Sequence, residues 1–300
     1  MNQQLSPVAR IIWLLLNILF GGVFAQILFA WTACDMKMPQ LIINFISNYL
    51  PFMSPLFRVP YLEINSLSSS IWGKLAFDAL LYAIFAIAHT VFAQESVQAV
   101  ITRYLLPKQT LRTAYCVMVS ITVFVILGFW QHTHVQLWNW LPTTMSLYQQ
   151  QFVLLTIFTI IHAPGMYVIF KFDPLEFSGI KQLFSQTGTI SCPFSTTTMS
   201  QQRTTGVHTL VTTGLFRFCR HPLYLFTLLP LIITPTMSLD RLAFIVFTCV
   251  YDAIGIPIEE KKLVRFFGQS YIDYQQCVPA IIPCWNNFVG RQQTKKKQKQ

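Results

Sequence analysis

Gly214-Leu215-Phe216-Arg217-Phe218-Cys219-Arg220-His221-Pro222-Leu223-Tyr224 stands where a polar tract ends and an apolar run begins. Pro222 has the place of a first-turn proline, where the missing N–H costs little and the fixed φ suits a helix. Two arginines and a histidine therefore sit at the entry to an apolar helix. Cations at membrane depth are costly unless they snorkel, pair or line a wet cavity. The chain offers partners about forty residues on, at Glu259-Glu260, where the next apolar run ends. The two helix ends are expected to meet there. From the residues alone, an ion-pair staple and a ligand site both remain open.

The runs around this stretch decide the fold class. Hydrophobic residues make up 53% of the 300 and charged residues 11%, against roughly 25% charged in soluble domains. Ile11–Trp31, Ile71–Ala93, Thr113–Trp130 and Gln151–Phe170 approach the length that crosses a bilayer. The first is too long for the apolar region of a signal peptide and lacks a small-residue cleavage site, so it is expected to stay in the mature chain. After Tyr224, Leu223–Ile233 and the run to Ile258 read as a helical hairpin joined by Thr234-Pro235-Thr236-Met237, its first arm short. Glu259–Gln276 alternates charge with Leu263, Phe266, Phe267, Tyr271 and Tyr274, the pattern of an amphipathic helix at the interface. The expected fold is all-α: a polytopic membrane bundle of about six crossings with a C-terminal hairpin and an interfacial helix. The division expected is residues 1–70 as an N-terminal span and loop, 71–290 as the membrane domain, and 291–300 as a basic tail. Within the second, the Ser/Thr/Gln-rich tract 191–209 is expected to be a flexible insertion. Leu41–Phe52 is too short to span and reads as interfacial or re-entrant.

The net charge is +10. Lysine and arginine gather at Arg103, Lys108 and Arg112, at Lys171 to Arg220, and in the C-terminal tail. By the positive-inside rule these segments and both termini are cytoplasmic. The tail is expected to meet anionic lipid. Nucleic acid is not an expected partner, because no basic domain with interleaved aromatics lies outside the spans. The seven cysteines contain no CxxC pair, so neither a disulfide framework nor a metal site is expected. Cys116 and Cys249 read as small core residues, and Cys219 as packing.

Polar residues inside the spans are the remaining candidates. Lys74 and Asp78 share a helix face and are expected to pair. His89 and His162 lie in spans, where a histidine is either a satisfied hydrogen-bonding residue or part of a substrate cavity. His162-Ala163-Pro164-Gly165 is expected to interrupt its helix. His132 and His134 do not share a helix face, which argues against a metal pair. Trp130, Trp138 and Trp140 read as an interfacial aromatic belt.

The motif, the hairpin and the following Glu259-Glu260-Lys261-Lys262-Leu263-Val264-Arg265-Phe266-Phe267-Gly268 resemble the C-terminal module of the integral-membrane methyltransferases. That group includes isoprenylcysteine carboxyl methyltransferases and phospholipid methyltransferases. Thr234-Pro235-Thr236-Met237, His89-Thr90-Val91-Phe92-Ala93 and Arg112-Thr113-Ala114-Tyr115 make the chain most similar to methanethiol S-methyltransferases and the nurim-like envelope proteins. The resemblance implies S-adenosylmethionine (SAM) as cofactor, although no glycine-rich dinucleotide fingerprint is present. It implies Arg217, Arg220, His221, Pro222, Leu223, Tyr224, Glu259 and Glu260 as cofactor-binding residues, with Arg220 on the cofactor carboxylate. It implies a small thiol as acceptor. His89, an ionisable residue within a span and in a segment the resemblance covers, is the expected base, with His162, also in a span, as second choice. Alternatives are a lipophilic acceptor (a prenylcysteine carboxylate or a phospholipid amine) or a non-enzymatic role in an envelope membrane. The location implied is multi-pass: a bacterial inner membrane, or the endoplasmic reticulum or nuclear envelope.

Overall fold

The structure is a computed structural model and describes residues 5–49, 70–171, 173–185 and 210–283. The tract 191–209 and the tail 291–300 lie outside the described residues, as do residues 50–52 of the short apolar segment. Among the described residues, five helices are long and apolar enough to cross a membrane. The chain is a multi-pass membrane bundle.

The first crossing, Pro7–Ala33, is made of α1 (Pro7–Leu16), a π-helical stretch (Asn17–Val23) and α2 (Phe24–Ala33). Asn17 is buried in it, and its amide donates to Thr113 Oγ1 at 3.2 Å and to the Ser178 carbonyl at 2.6 Å. Next come α3 (Gln40–Tyr49), α4 (Ile71–Phe92), α5 (Glu95–Tyr104) and α6 (Leu111–Phe129). β1 (Gln136–Asn139) precedes α7 (Leu147–Lys171) and the short helices α8 (Pro174–Ser178) and α9 (Ile180–Phe184). The chain closes with α10 (Pro222–Ile232), β2 (Thr236–Ser238), α11 (Leu239–Phe267) and α12 (Gln269–Cys277).

The core lies where α2, α4, α6 and α11 meet, around Trp31, Leu81, Tyr82, Val123 and Leu127. Trp130 belongs to it, only 5% exposed, and packs edge-on to Trp31 with ring centres 5.8 Å apart. It is therefore not a belt residue. Asp78 explains this: its Oδ1 accepts the Gln131 N–H at 2.8 Å and draws the end of α6 inward. Trp138 and Trp140 stack on each other instead, and Trp140 is 75% exposed. Asp78 and Lys74 do not pair. Lys74 donates to the His132 carbonyl at 2.8 Å, so both side chains hold the same connection from one helix face.

The end of the bundle that holds this connection is clasped by Arg241, fully buried. Its guanidinium donates to the Thr32 and Ala33 carbonyls, to Thr234 Oγ1 and to the Thr236 carbonyl. Its Nε lies 3.4 Å from Asp35. Asp35 also accepts from the backbone and hydroxyl of Ser238. This clasp joins the first crossing to the hairpin turn. In the turn, β2 pairs antiparallel with β1 of the α6–α7 connection, a ribbon absent from the sequence expectation.

Three other expectations are corrected. α7 runs unbroken through Pro164, and α10 packs so closely that a Cβ on Gly165 would stand 2.9 Å from Phe226 Cβ. Cys249 is exposed on the outer face of α11 rather than in the core. Glu259–Gln276 is not one interfacial helix. At ~1.5 Å per residue the 29 residues of α11 reach about 43 Å, well past the ~30 Å hydrocarbon layer. Its charged last turns are therefore the same helix leaving the apolar layer. The break falls at Gly268, whose φ of 61° and ψ of −137° suit glycine alone. α12 then folds back onto Phe216 and α11 through Tyr271 and Tyr274, both buried. α10 is 11 residues long, about 16 Å, and makes the short arm of the hairpin.

Candidate functional site

The opposite end of the bundle carries the site. Gly214–Arg217 forms a 3-10 turn, anchored where Tyr274 donates its hydroxyl to the Phe216 carbonyl at 2.6 Å. The N–H groups of Arg220 and His221 donate to the carbonyls of Pro279 and Ala280, each at 2.9 Å. Pro222 then starts α10. The returning C-terminal segment thus fixes the backbone from which the motif side chains project. Cys219 is sealed beneath it, and burial pushes its thiol up to about 11, so it packs rather than reacts.

The motif does meet the two glutamates, and their surroundings differ. Glu260 is saturated: Oε1 accepts from Arg220 Nε at 2.6 Å and lies 3.1 Å from His221 Nε2, while Oε2 accepts from Gln275 at 2.9 Å. Arg220 also donates through Nη1 to the Gln275 and Val278 carbonyls. Among the described residues Glu259 accepts one hydrogen bond, from the Tyr224 hydroxyl at 2.8 Å, and its side chain is 24% exposed. His221 Nδ1 lies 3.8 Å from it. Arg220, His221 and Glu260 are thus a staple, and Glu259 with Tyr224 is the part that can accept a ligand cation.

Two turns toward the core, α11 presents Tyr251. Its hydroxyl lies 2.6 Å from His89 Nδ1, and the Tyr115 hydroxyl lies 2.6 Å from His89 Nε2. Both imidazole nitrogens are occupied, so a proton reaches His89 through a tyrosine hydroxyl. A neutral imidazole has one donor and one acceptor nitrogen, so the two hydroxyls take opposite roles. The Arg112 guanidinium stacks over Tyr115, 5.3 Å from its ring centre, and Nε donates to the Phe177 carbonyl at 2.8 Å. Gly179, at φ 93°, permits this approach: a Cβ there would stand 2.9 Å from Arg112 Cβ. Lys262 donates to the Ala93 carbonyl at 3.0 Å and ties the ends of α4 and α11 together. His89 and Glu259 are thereby brought to one end of the bundle.

His162 is elsewhere. Its Nδ1 donates to the Phe226 carbonyl at 2.9 Å, and its ring packs on Phe29 and Phe158. It joins α7 to α10, and no described contact links it to the His89 group. Leu223 is half-buried and faces Gly165 of α7. Arg217 is exposed and lines a cleft of about 450 Å³ with Pro164, Tyr167, Gly214, Leu215 and Phe218. Among the described residues no group of three His, Cys, Asp or Glu could hold a metal. Sequence reasoning gave no chemical role to Tyr251, Tyr115 or Arg112, although Arg112 and Tyr115 helped to carry the resemblance. Tyr251 stands two turns before Glu259, a signal hidden because an aromatic in an apolar run reads as core.

Residues 183–265 match the model of the isoprenylcysteine carboxyl methyltransferase (ICMT) family. The chain is 26% identical to a methanethiol S-methyltransferase of Crocosphaera subtropica over 244 residues, 80% of this chain and 85% of that protein. A methanethiol S-methyltransferase of Pseudomonas deceptionensis is 26% identical over 76% of this chain and 80% of its own length. Protein-S-isoprenylcysteine O-methyltransferase B of Arabidopsis thaliana is 33% identical over only 35% of this chain and 55% of its own. No solved structure matches the chain. Residues 183–265, from the approach to the motif through its two glutamates, thus match the ICMT family model within a membrane chain similar over most of its length to methanethiol S-methyltransferases.

Proposed function

We propose that the protein is a membrane-embedded, SAM-dependent methyltransferase whose acceptor is a small thiol such as methanethiol. The observation that carries this is that α11 bears an open carboxylate (Glu259) two turns from Tyr251, where Tyr251 meets His89 of α4 and, through it, Tyr115 of α6. SAM supplies a methyl group on a positively charged sulfur, together with an ammonium and a carboxylate. The residues fit such a ligand. Glu259 has accepting capacity for the ammonium. Tyr224 and His221 orient that carboxylate, and Pro222 and Leu223 give the site its apolar side. Arg217 is the exposed cation for the ligand carboxylate, the role the resemblance implied for Arg220. Arg220 and Glu260 act as positioning residues, because their hydrogen bonds are spent on each other and on the C-terminal segment.

A thiol needs a route for its proton. His89 takes it through Tyr115 or Tyr251, and Arg112 holds Tyr115 in place. The apolar bundle around these groups excludes water and aligns the reacting atoms, which supplies much of the rate. A lipophilic acceptor would favour the cleft beside Arg217. The similarity to methanethiol S-methyltransferases covers far more of the chain than that to prenylcysteine enzymes, and it favours the thiol. The test is purified protein in detergent with labelled SAM and a panel of thiols, prenylcysteines and phospholipids. Methylation of methanethiol is the expected result. Methylation confined to prenylcysteine or lipid would refute the acceptor, and none at all would refute the enzyme.

A further inference from the structure

Asp252 lies in the middle of α11, on its inward face with Thr248, Ile256 and Leu263, and is only 5% exposed. Among the described residues its carboxyl group has no hydrogen bond and no ion pair. Every other buried carboxylate of the bundle has at least one: Asp35 has Ser238, Asp78 has Gln131, and Asp240 has Thr133. Asp252 is within electrostatic reach of Tyr251, Tyr224 and Glu259. Along α11 it stands next to Tyr251, which meets His89, and two turns before the open glutamate, at the inner end of the site. A lone carboxylate inside an apolar bundle is costly to hold, and a bound cation relieves that cost. The two acidic groups, seven residues apart, share one helix face about 10 Å apart along the axis.

Resting on the SAM reading, we propose that Asp252 is the counter-charge for the cofactor's sulfonium and makes the site discriminate the charged cofactor from its spent, uncharged product. Glu259 faces the ammonium, which both forms of the cofactor carry. The sulfur is cationic only before methyl transfer. The carboxylate deeper in the same face therefore favours SAM over S-adenosylhomocysteine. In a low-dielectric interior one unit of charge at this depth decides which form stays bound. Once the methyl has left, Asp252 again lacks a partner, and the product is held only by contacts common to both forms.

The experiment is calorimetry on the full-length protein in detergent, with SAM, S-adenosylhomocysteine, and a SAM analogue bearing an amine in place of the S-methyl. Wild-type protein should bind the two cationic ligands at least tenfold more tightly than S-adenosylhomocysteine. In Asp252→Asn that preference should fall about tenfold, with S-adenosylhomocysteine affinity held within threefold and the ligand-free protein melting at a higher temperature. Asp252→Glu keeps the charge and should keep the preference, which covers the case in which the asparagine variant fails to fold. An unchanged preference in a folded asparagine variant overturns the proposal and leaves the SAM reading standing. So does loss of the preference in the glutamate variant with a lowered melting temperature, because Asp252 would then be a packing residue. Wild-type protein that binds none of the three ligands overturns the SAM reading itself, and this inference with it.

Discussion

Glu259 and Glu260 are neighbours in the chain with opposite employment, and substitution should separate them. Glu260→Gln removes the charge that faces Arg220, whose side chain is 11% exposed and whose other donors are held by backbone carbonyls. Breaking a largely buried pair from one side costs about 3 kcal/mol or more, because the remaining charge is left uncompensated. The expected result is a lowered melting temperature in detergent, with Arg220→Lys failing to replace the arginine fork. Glu259→Gln should leave the melting temperature near wild type and weaken SAM binding, since among the described residues its carboxylate holds just the Tyr224 hydroxyl. Calorimetry beside thermal unfolding checks both, and equal effects of the two variants would refute the division of roles. His89 belongs to the same scale. General bases contribute roughly 10²–10⁴-fold, so His89→Ala should slow methyl transfer to methanethiol by about that factor near pH 7. Between pH 8 and 9 the loss should shrink, because free thiolate accumulates without help. Tyr115→Phe and Tyr251→Phe should show the same pH profile if the proton travels through a hydroxyl. SAM affinity should hold in all three.

At the scale of the element, α11 is the spine of the molecule. It carries the Arg241 clasp at one end, Tyr251 and Asp252 in the middle, and the two glutamates near the other end. Much of this was legible in the sequence. The motif at 214–224, the hairpin and the meeting with Glu259-Glu260 followed from cations that needed partners at a helix entry. The continuity of α11 past Ile258 was not legible. There the change from apolar to charged residues marks the exit from the hydrocarbon layer, and a helix does not end because its surroundings do. Trp130 misled for a related reason. An aromatic near a span end suits both a belt and a buried corner, and only the Asp78–Gln131 bond decides between them. Tyr251 and Asp252 were lost because a single span is read for length and polarity, not for which face turns inward. Gly268 gives the element its test. Its φ of 61° with ψ of −137° is open to glycine alone, so Gly268→Ala should cost on the order of 1–3 kcal/mol. The added strain loosens α12, so amide hydrogen exchange across Gln269–Cys277 should report undocking below the temperature of global unfolding. A variant that melts like wild type would show the turn to be unstrained.

The whole molecule has two unlike ends. One gathers its polarity into closed internal bonds: Arg241 with Asp35, Asp240 with Thr133, Asp78 with Gln131. The other gathers the site together with Arg10, Arg103, Lys108, Arg112, Lys171, Lys181, Arg217, Lys261, Lys262 and Arg265. Such an excess of cations marks the cytoplasmic side of a bilayer. On the proposed function this orientation sets the open glutamate where a water-soluble cofactor is supplied, with the apolar bundle beyond it reached from the lipid, where a small neutral thiol partitions. The proposed function requires this orientation, because a reversed chain would face the proposed cofactor site away from the compartment that makes the cofactor. Leu105, 74% exposed and close to the basic connection, and Trp140, 75% exposed on the β1 side, report the two ends. Leu105→Cys and Trp140→Cys, each in a cysteine-depleted background, are treated with a membrane-impermeant maleimide on intact cells and again after permeabilisation. Trp140→Cys should react in intact cells and Leu105→Cys only after permeabilisation. The reverse pattern would invert the bundle and separate the site from cytoplasmic SAM. Labelling of both from outside would require an odd number of crossings between residues 105 and 140 to be abandoned, and α6 with it as a membrane span.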